Sequence, residues 1–124
     1  MPDGIESFAR DYIVAQIAAW ELGDFSGLEA LEHPDVVFSN INGTVFDGRD
    51  AHFAAIECIK AGFGNVPIKQ QWRYLMGSGA MFTLAYEWTI ATSPQPMVMA
   101  GLLVGRVEDG RLVEEWGAIY TVGS

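Results

Sequence analysis

The second half of the chain carries four long β-prone segments joined by turns that are too short to hold a helix. The segments cover residues 68–76, 80–92, 97–108 and 111–122. The turns between them contain Gly77-Ser78-Gly79, Ser93-Pro94-Gln95-Pro96 and Asp109-Gly110. Strands connected in this way pair antiparallel, because a parallel pair needs a long crossover connection. Strands of this length also exceed the usual five or six residues, and a long sheet coils as it twists. The pattern therefore excludes a doubly wound fold and predicts a curved antiparallel sheet.

The first half supplies helices for one side of that sheet. Three stretches have helical periodicity or capping signals: residues 5–20, 25–31 and 51–61. Two short β-prone stretches, 36–41 and 44–46, flank the turn pair Asn42-Gly43. The resulting order is α-α-β-β-α-β-β-β-β. It predicts a single α+β domain over residues 1–124, in which three N-terminal helices wrap the sheet and leave a cone-shaped space for a ligand.

Composition limits the partners of such a domain. Sixteen Asp and Glu against seven scattered Lys and Arg give a net charge of -9, which disfavours binding to nucleic acid. No apolar stretch reaches the length of a membrane span, and Asp3 and Glu6 replace the basic start of a signal peptide. Cys58 is the only cysteine, and no metal-ligand spacing or phosphate loop is present. We therefore expect a cytoplasmic protein with no metal, no cofactor, and no nucleic-acid or membrane partner.

Several short elements, taken in order, carry a resemblance to a known superfamily. They are Gly23-Asp24, Asp35-Val36-Val37-Phe38, Gly48-Arg49-Asp50-Ala51 and the hairpin from Asp109-Gly110 to Trp116. Together they resemble the nuclear transport factor 2-like superfamily, which includes SnoaL-like polyketide cyclases, ketosteroid isomerase and limonene-epoxide hydrolase. The resemblance implies a cystatin-like cone, a deep pocket between sheet and helices, and frequent dimerisation through the sheet.

The same resemblance leaves the reaction open. The position of the isomerase base appears here as Asn40, and the position of its helix-one tyrosine as Gln16. Glu87 falls where one aspartate of the epoxide hydrolase would lie. After Trp116, where many cyclases carry an acid, this chain has Gly117, Ala118 and Ile119.

Three residues are candidates for acid–base chemistry. His52 lies on the apolar face of the third helix, and Asn40 shares a strand face with Phe38, so both are expected near the pocket. Glu87 lines the pocket only if the aromatic face of its strand forms an interface; if that face packs on the helices, Glu87 is a surface charge. If the protein is an enzyme, we expect Glu87 or His52 as the base, with Asn40, aided by Gln16, orienting water or a substrate oxygen and Tyr120 available as an acid.

The candidate ligand-binding residues are polar or aromatic side chains on the predicted helix and strand faces: Gln16, Trp20, Phe38, Trp72, Tyr74, Trp116 and Tyr120. The sequence predicts a pocket that binds an apolar small molecule, in a protein that forms a homodimer through the open sheet face. Two functions remain open: a cofactor-independent isomerase, cyclase or epoxide hydrolase, and a non-catalytic binding protein with the same pocket.

Overall fold

A computed structural model describes residues 4–122. The first helical part is α1, Gly4–Ile17, continued by a π-helical turn, Ala18–Leu22, and by α2, Ser26–Leu31. The strands and the third helix follow as β1 Glu32–Asn40, β2 Val45–Asp47, α3 Arg49–Gly62, β3 Ile68–Ser78, β4 Met81–Ile90, β5 Met97–Glu108 and β6 Arg111–Thr121. The predicted order of elements is confirmed. The π turn was not predicted; it ends at Gly23, whose positive φ of 70° suits a glycine.

The six strands form one curved sheet in the order β2-β1-β6-β5-β4-β3. Successive strands from β3 to β6 pair antiparallel, as their short turns require. Strands β1 and β6 pair parallel, so the sheet is mixed and not wholly antiparallel. This correction has a simple cause, because β1 and β6 are far apart in the chain and no tight turn constrains their direction. The α+β class of the prediction is confirmed.

Strand β1 also begins four residues earlier than predicted, at Glu32. The segment His33-Pro34-Asp35 does not separate the helix from the strand; it lies inside an irregular stretch of β1 between the paired residues Glu32 and Val37. A proline is tolerated there because the ladder hydrogen bonds are already interrupted. As a result, Glu32 extends from a strand into the protein interior, where it is completely buried.

The helices cover one face of the sheet, which we call the covered face; the opposite one is the open face. On β4 the covered face carries Phe82, Leu84, Tyr86, Trp88 and Ile90, and the first two pack in the core with Tyr12 of α1. The aromatic face of β4 therefore packs on the helices.

Two single-residue bulges, at Arg73 in β3 and at Val113 in β6, bend the sheet. None of the helices in the described part of the chain is long and apolar enough to cross a membrane.

Candidate functional site

A cavity of about 130 Å³ lies between the covered face and the helices. One part of its wall is aromatic, formed by Trp20, Trp88, Tyr86 and Trp72, each of which contacts the next. Polar groups come from both layers, and no lysine or arginine is found among the described residues that line it. The size is close to that of a ~150 Å³ apolar cavity that accepts benzene. The cavity therefore suits a small ring system without a negative charge.

A chain of hydrogen bonds leads from the π turn into this cavity. The indole Nε1 of Trp20 donates to Oε1 of Gln16 at 2.9 Å. Nε2 of Gln16 donates to the hydroxyl of Tyr12 at 2.7 Å, and that hydroxyl donates to Oε1 of Glu115 at 2.9 Å. The three helical residues are buried and lie four positions apart, so they form one row along the same helix face.

The direction of these hydrogen bonds follows from the chemistry of the Trp20 indole. An indole N–H can only donate, so Gln16 must turn its oxygen toward Trp20 and its NH₂ group toward Tyr12. Tyr12 has one hydroxyl proton, and with its oxygen occupied as an acceptor it gives that proton to Glu115. Every bond in the row therefore supports negative charge on Glu115, a carboxylate that β6 places at the cavity wall.

Glu115 has one oxygen held by Tyr12 and the other without a hydrogen-bond partner among residues 4–122. Its side chain is half-buried, because the cavity lets solvent reach it although its other neighbours are protein atoms. Burial raises the pKa of Glu115 to about 7, and the charge of Glu32 adds to this, while His52 and the bond from Tyr12 act in the opposite direction. The free oxygen can thus take up or release a proton near neutral pH.

A second acidic residue lies behind the cavity wall. Nδ1 of His52 is 3.1 Å and 3.0 Å from the two carboxylate oxygens of Glu32, and the imidazole ring stacks on Phe38 with ring centroids 3.8 Å apart. Burial raises the pKa of Glu32, opposed by the hydrogen bond and charge of His52 and by the charge of Arg49. Because Nδ1 faces the carboxylate, Nε2 is the nitrogen that remains for a ligand.

Amide groups complete the polar lining. Asn40 accepts a hydrogen bond at Oδ1 from the backbone N–H of Asn42 at 3.1 Å, and its Nδ2 has no partner among the described residues. Gln70, by contrast, is fully engaged: its Oε1 accepts from Trp72 at 3.0 Å and its Nε2 donates to the backbone oxygen of Gln16 at 3.2 Å. Asn40 can therefore donate to a ligand, whereas Gln70 holds the wall together.

The structure brings six of the ten predicted site residues to the cavity: Gln16, Trp20, Phe38, Asn40, His52 and Trp72. The other four, Glu87, Tyr74, Trp116 and Tyr120, lie on the open face. Their catalytic or binding roles in the cavity are incompatible with this placement. Tyr120 is 63% exposed, and its side chain projects from the sheet face opposite to the cavity.

Two physical causes account for the placement of Tyr74 and Glu87 on the open face. The bulge at Arg73 reverses the alternation of β3, so Trp72 points into the cavity and Tyr74 points away. On β4 the aromatic face packs inward, which turns Glu87 outward, where its carboxylate accepts from Arg73 at 3.3 Å. Of the two alternatives stated for Glu87, the surface charge is the one observed.

The sequence reasoning missed the buried acids and their partners: Tyr12, Glu32, Tyr86 and Glu115. A signal for Glu115 was present, because strand alternation puts it on the face opposite to Trp116. This signal was overlooked because Glu114 and Glu115 are adjacent, and two consecutive acidic residues close to a turn are usually both exposed to solvent. Glu114 does face outward and binds Arg106 at 3.1 Å. Among residues 4–122 there is no cluster of three or more histidine, cysteine or acidic side chains that could hold a metal ion.

Comparisons with known proteins agree with this architecture. A family model described as SnoaL-like domain matches residues 13–115. No relative was found among curated proteins. IdmH of Streptomyces antibioticus, a candidate polyketide cyclase, is 23% identical with a TM-score of 0.74, over 89% of this chain and 90% of its own.

Two further solved structures are similar at lower identity. Bal32a, from a soil-derived mobile gene cassette, is 17% identical with a TM-score of 0.79, over 95% of this chain and 92% of its own. An M. tuberculosis epoxide hydrolase similar to limonene-epoxide hydrolase is 17% identical with a TM-score of 0.72, over 93% and 84%. At these identities the likeness concerns the fold.

Proposed function

We propose, since this chain belongs to the SnoaL-like domain family, that it is an enzyme that transfers a proton to and from a small apolar substrate without help from a metal or cofactor. Two of the solved structures with this fold are described as a candidate polyketide cyclase and as an epoxide hydrolase. The isomerase, cyclase and epoxide hydrolase types all need a proton acceptor inside an apolar cavity.

The observation that carries the proposal is the carboxyl group of Glu115. It combines a free oxygen at the cavity wall with a pKa near 7, which is the range in which a general base works best at neutral pH. Its orientation is held by Tyr12, whose own hydrogen-bond row is closed. A carboxylate placed only for packing would not need this arrangement.

The walls indicate the substrate. Four aromatic rings favour a flat apolar ring system, and the absence of lysine and arginine from the described lining disfavours a carboxylate or phosphate group. The free N–H of Asn40 can donate to a substrate oxygen. A neutral monocyclic ketone meets all of these conditions.

The reaction follows from those groups. The free oxygen of Glu115 takes a proton from the carbon next to the carbonyl, so the C–H bond breaks and its electron pair moves onto the carbonyl oxygen as an enolate. A donor in the cavity wall, for which the unpaired N–H of Asn40 is available, stabilises that oxygen by a hydrogen bond, and the protonated Glu115 returns the proton to another carbon of the conjugated system. His52, held at Nδ1 by Glu32, leaves Nε2 for a hydrogen bond to the substrate. The net result is an isomerisation.

The test uses cyclohex-3-enone, whose isomerisation to the conjugated enone is followed by ultraviolet absorbance. The Glu115→Gln variant should lose about 100-fold or more in kcat, because the amide cannot accept the proton. Glu114→Gln is the matched control, since that side chain is next in sequence but faces outward, and it should change the rate by less than twofold.

Two further outcomes separate the alternatives. Glu87→Gln should leave turnover unchanged, because its charge lies on the open face. If the wild type turns over neither this ketone nor cyclohexene oxide but is stabilised thermally by them, the binding-protein function is the correct one. Equal rates for the wild type and Glu115→Gln would contradict the role of the carboxylate.

The open face supports the homodimer expected from the sequence. It exposes large apolar side chains on the neighbouring strands β5 and β6, including Leu102, Trp116 and Tyr120, and on the edge strand β3, where Tyr74 and Met76 lie. Exposed apolar side chains in this number are normally covered by a partner. We propose that a second copy of the chain covers it. Sedimentation should give a dimer for the wild type and a monomer for Trp116→Glu; a monomeric wild type at micromolar concentration would refute this.

A further inference from the structure

Tyr86 occupies the part of the cavity wall that lies between two tryptophans. Its ring centroid is 4.8 Å from that of Trp72 and 5.8 Å from that of Trp88. On the sheet it pairs with Gly101 of the neighbouring strand β5. The side chain is half-buried and lines the cavity, so the ring is fixed by its neighbours while its end remains accessible.

Gly101 is the reason that the phenol can take this position. A Cβ atom built on Gly101 would lie 2.4 Å from Cζ of Tyr86 and 2.5 Å from its hydroxyl oxygen. Separations this short do not occur, so any side chain at position 101 would displace the ring. The missing side chain lets Tyr86 lean across β5 toward β6, the strand that carries Glu115.

The hydroxyl of Tyr86 has no hydrogen-bond partner among the residues that the structure describes. This sets it apart from the engaged indole of Trp72 and the engaged phenol of Tyr12. The indole N–H of Trp88 also lacks a partner, but it is buried where solvent does not reach it. Burial, together with the charge of Glu115, raises the pKa of Tyr86 well above its ordinary value. The phenol therefore keeps its proton and can act as a donor at any working pH.

We propose that Tyr86 binds the carbonyl oxygen of the ligand through its hydroxyl, and that Gly101 is the positioning residue that aims it. The inference rests on the proposed function and deepens it, because it names Tyr86, in place of Asn40, as the donor that stabilises the enolate oxygen of the ketone. The titratable groups around the site are Glu115 of β6, Tyr12 of α1, and the pair His52 and Glu32 behind the wall; none of them donates to or accepts from Tyr86.

Two probes of the same shape isolate the hydroxyl. Acetophenone carries a carbonyl oxygen, and α-methylstyrene replaces that oxygen with a methylene group. The wild type should bind acetophenone about tenfold more tightly, as expected for one hydrogen bond made inside a protein. Tyr86→Phe should remove this preference while leaving the affinity for α-methylstyrene within twofold. Tyr74→Phe, on the open face, is the matched control and should keep the full preference.

The role of Gly101 is tested in the same way. Gly101→Ala should reduce the preference for the ketone in the wild type, but it should cause no further reduction in the Tyr86→Phe background. The comparison uses the ratio of the two affinities, so a general change of cavity shape cancels. If Gly101→Ala does not fold, Tyr86→Phe still decides the assignment.

The outcomes are distinct from those for the proposed function. A ketone preference that survives in Tyr86→Phe overturns the assignment, as does a wild type that binds both probes equally or neither at millimolar concentration. A wild type that prefers the ketone, loses this in Tyr86→Phe and never isomerises cyclohex-3-enone would refute the enzyme but leave Tyr86 as the ligand's hydrogen-bond donor.

Discussion

The substitution Tyr12→Phe separates the hydrogen bond to Glu115 from the packing around it. Tyr12 is completely buried, and phenylalanine retains its ring contact with Phe82, 5.8 Å between centroids. What disappears is the donor that lies 2.9 Å from the carboxylate. The wild-type bond stabilises the ionised form of Glu115, so its loss should raise the pKa.

The size of the shift follows from the strength of such a bond. A hydrogen bond to a charged group contributes about 1.5–3 kcal/mol, which corresponds to about 1–2 pH units. Starting from a pKa of about 7, the base form would then dominate only above about pH 8–9. At pH 7 the ionised fraction would fall from about half to about 1–10%, and kcat/KM should fall by roughly 5–50-fold and recover at high pH.

Carbon-13 NMR of the glutamate side-chain carboxyls measures the shift directly, without any dependence on turnover. Tyr74→Phe serves as the control, because this tyrosine lies on the open face. The amide of Gln16 loses its acceptor in Tyr12→Phe, so the free energy of unfolding should drop by about 1–3 kcal/mol. A carboxyl titration that stays at its wild-type midpoint, or moves to lower pH in folded protein, would refute the argument.

Three further outcomes are expected. Because burial raises the pKa of Glu115 from 4.5 to about 7, the wild type should lose stability as the pH rises between those values; Glu115→Gln should be more stable by about 1–3 kcal/mol at pH 8 but not at pH 4, by urea denaturation. His52→Ala leaves the buried carboxylate of Glu32 unpaired and should lower the free energy of unfolding by about 3–5 kcal/mol, part of which Glu32→Gln should restore. Trp20→Phe frees the amide of Gln16 to turn and accept a hydrogen bond from the hydroxyl of Tyr12, which then no longer donates to Glu115. The NMR titration midpoint of Glu115 should therefore rise, and a fall would contradict the proposed direction of these hydrogen bonds.

Local rules were sufficient to predict most of the fold. Helical periodicity and turn chemistry predicted every α-helix and every strand, but not the π turn. The Asp109-Gly110 turn has the two positive φ angles, 52° and 77°, that such a hairpin favours. The parallel pairing of β1 with β6 and the early start of β1 depend on contacts between distant parts of the chain. Neither leaves a signal in the sequence near Glu32.

The helical part of the site was the easiest to predict, because a single element decides it. Gln16, Trp20 and His52 follow from the apolar faces of their helices, and the structure brings all three to the cavity. Strand residues depend on which sheet face the helices cover and on bulges that shift the alternation by one residue. This is why Tyr74 was placed inside and Glu115 was missed.

The polar groups of the cavity fall into two sets, and the division bears on function. Trp20, Gln16 and Tyr12 form a row in which each donor has an acceptor, and this row ends on Glu115. Beyond it, one oxygen of Glu115 has no partner among residues 4–122, and neither does the amide nitrogen of Asn40. A cavity that only stored a hydrocarbon would be more stable with leucine at position 115, because a buried carboxyl group destabilises the fold once it ionises. The fold instead directs three buried residues toward keeping that carboxyl group ionisable near neutral pH, which is what proton transfer requires and simple packing does not.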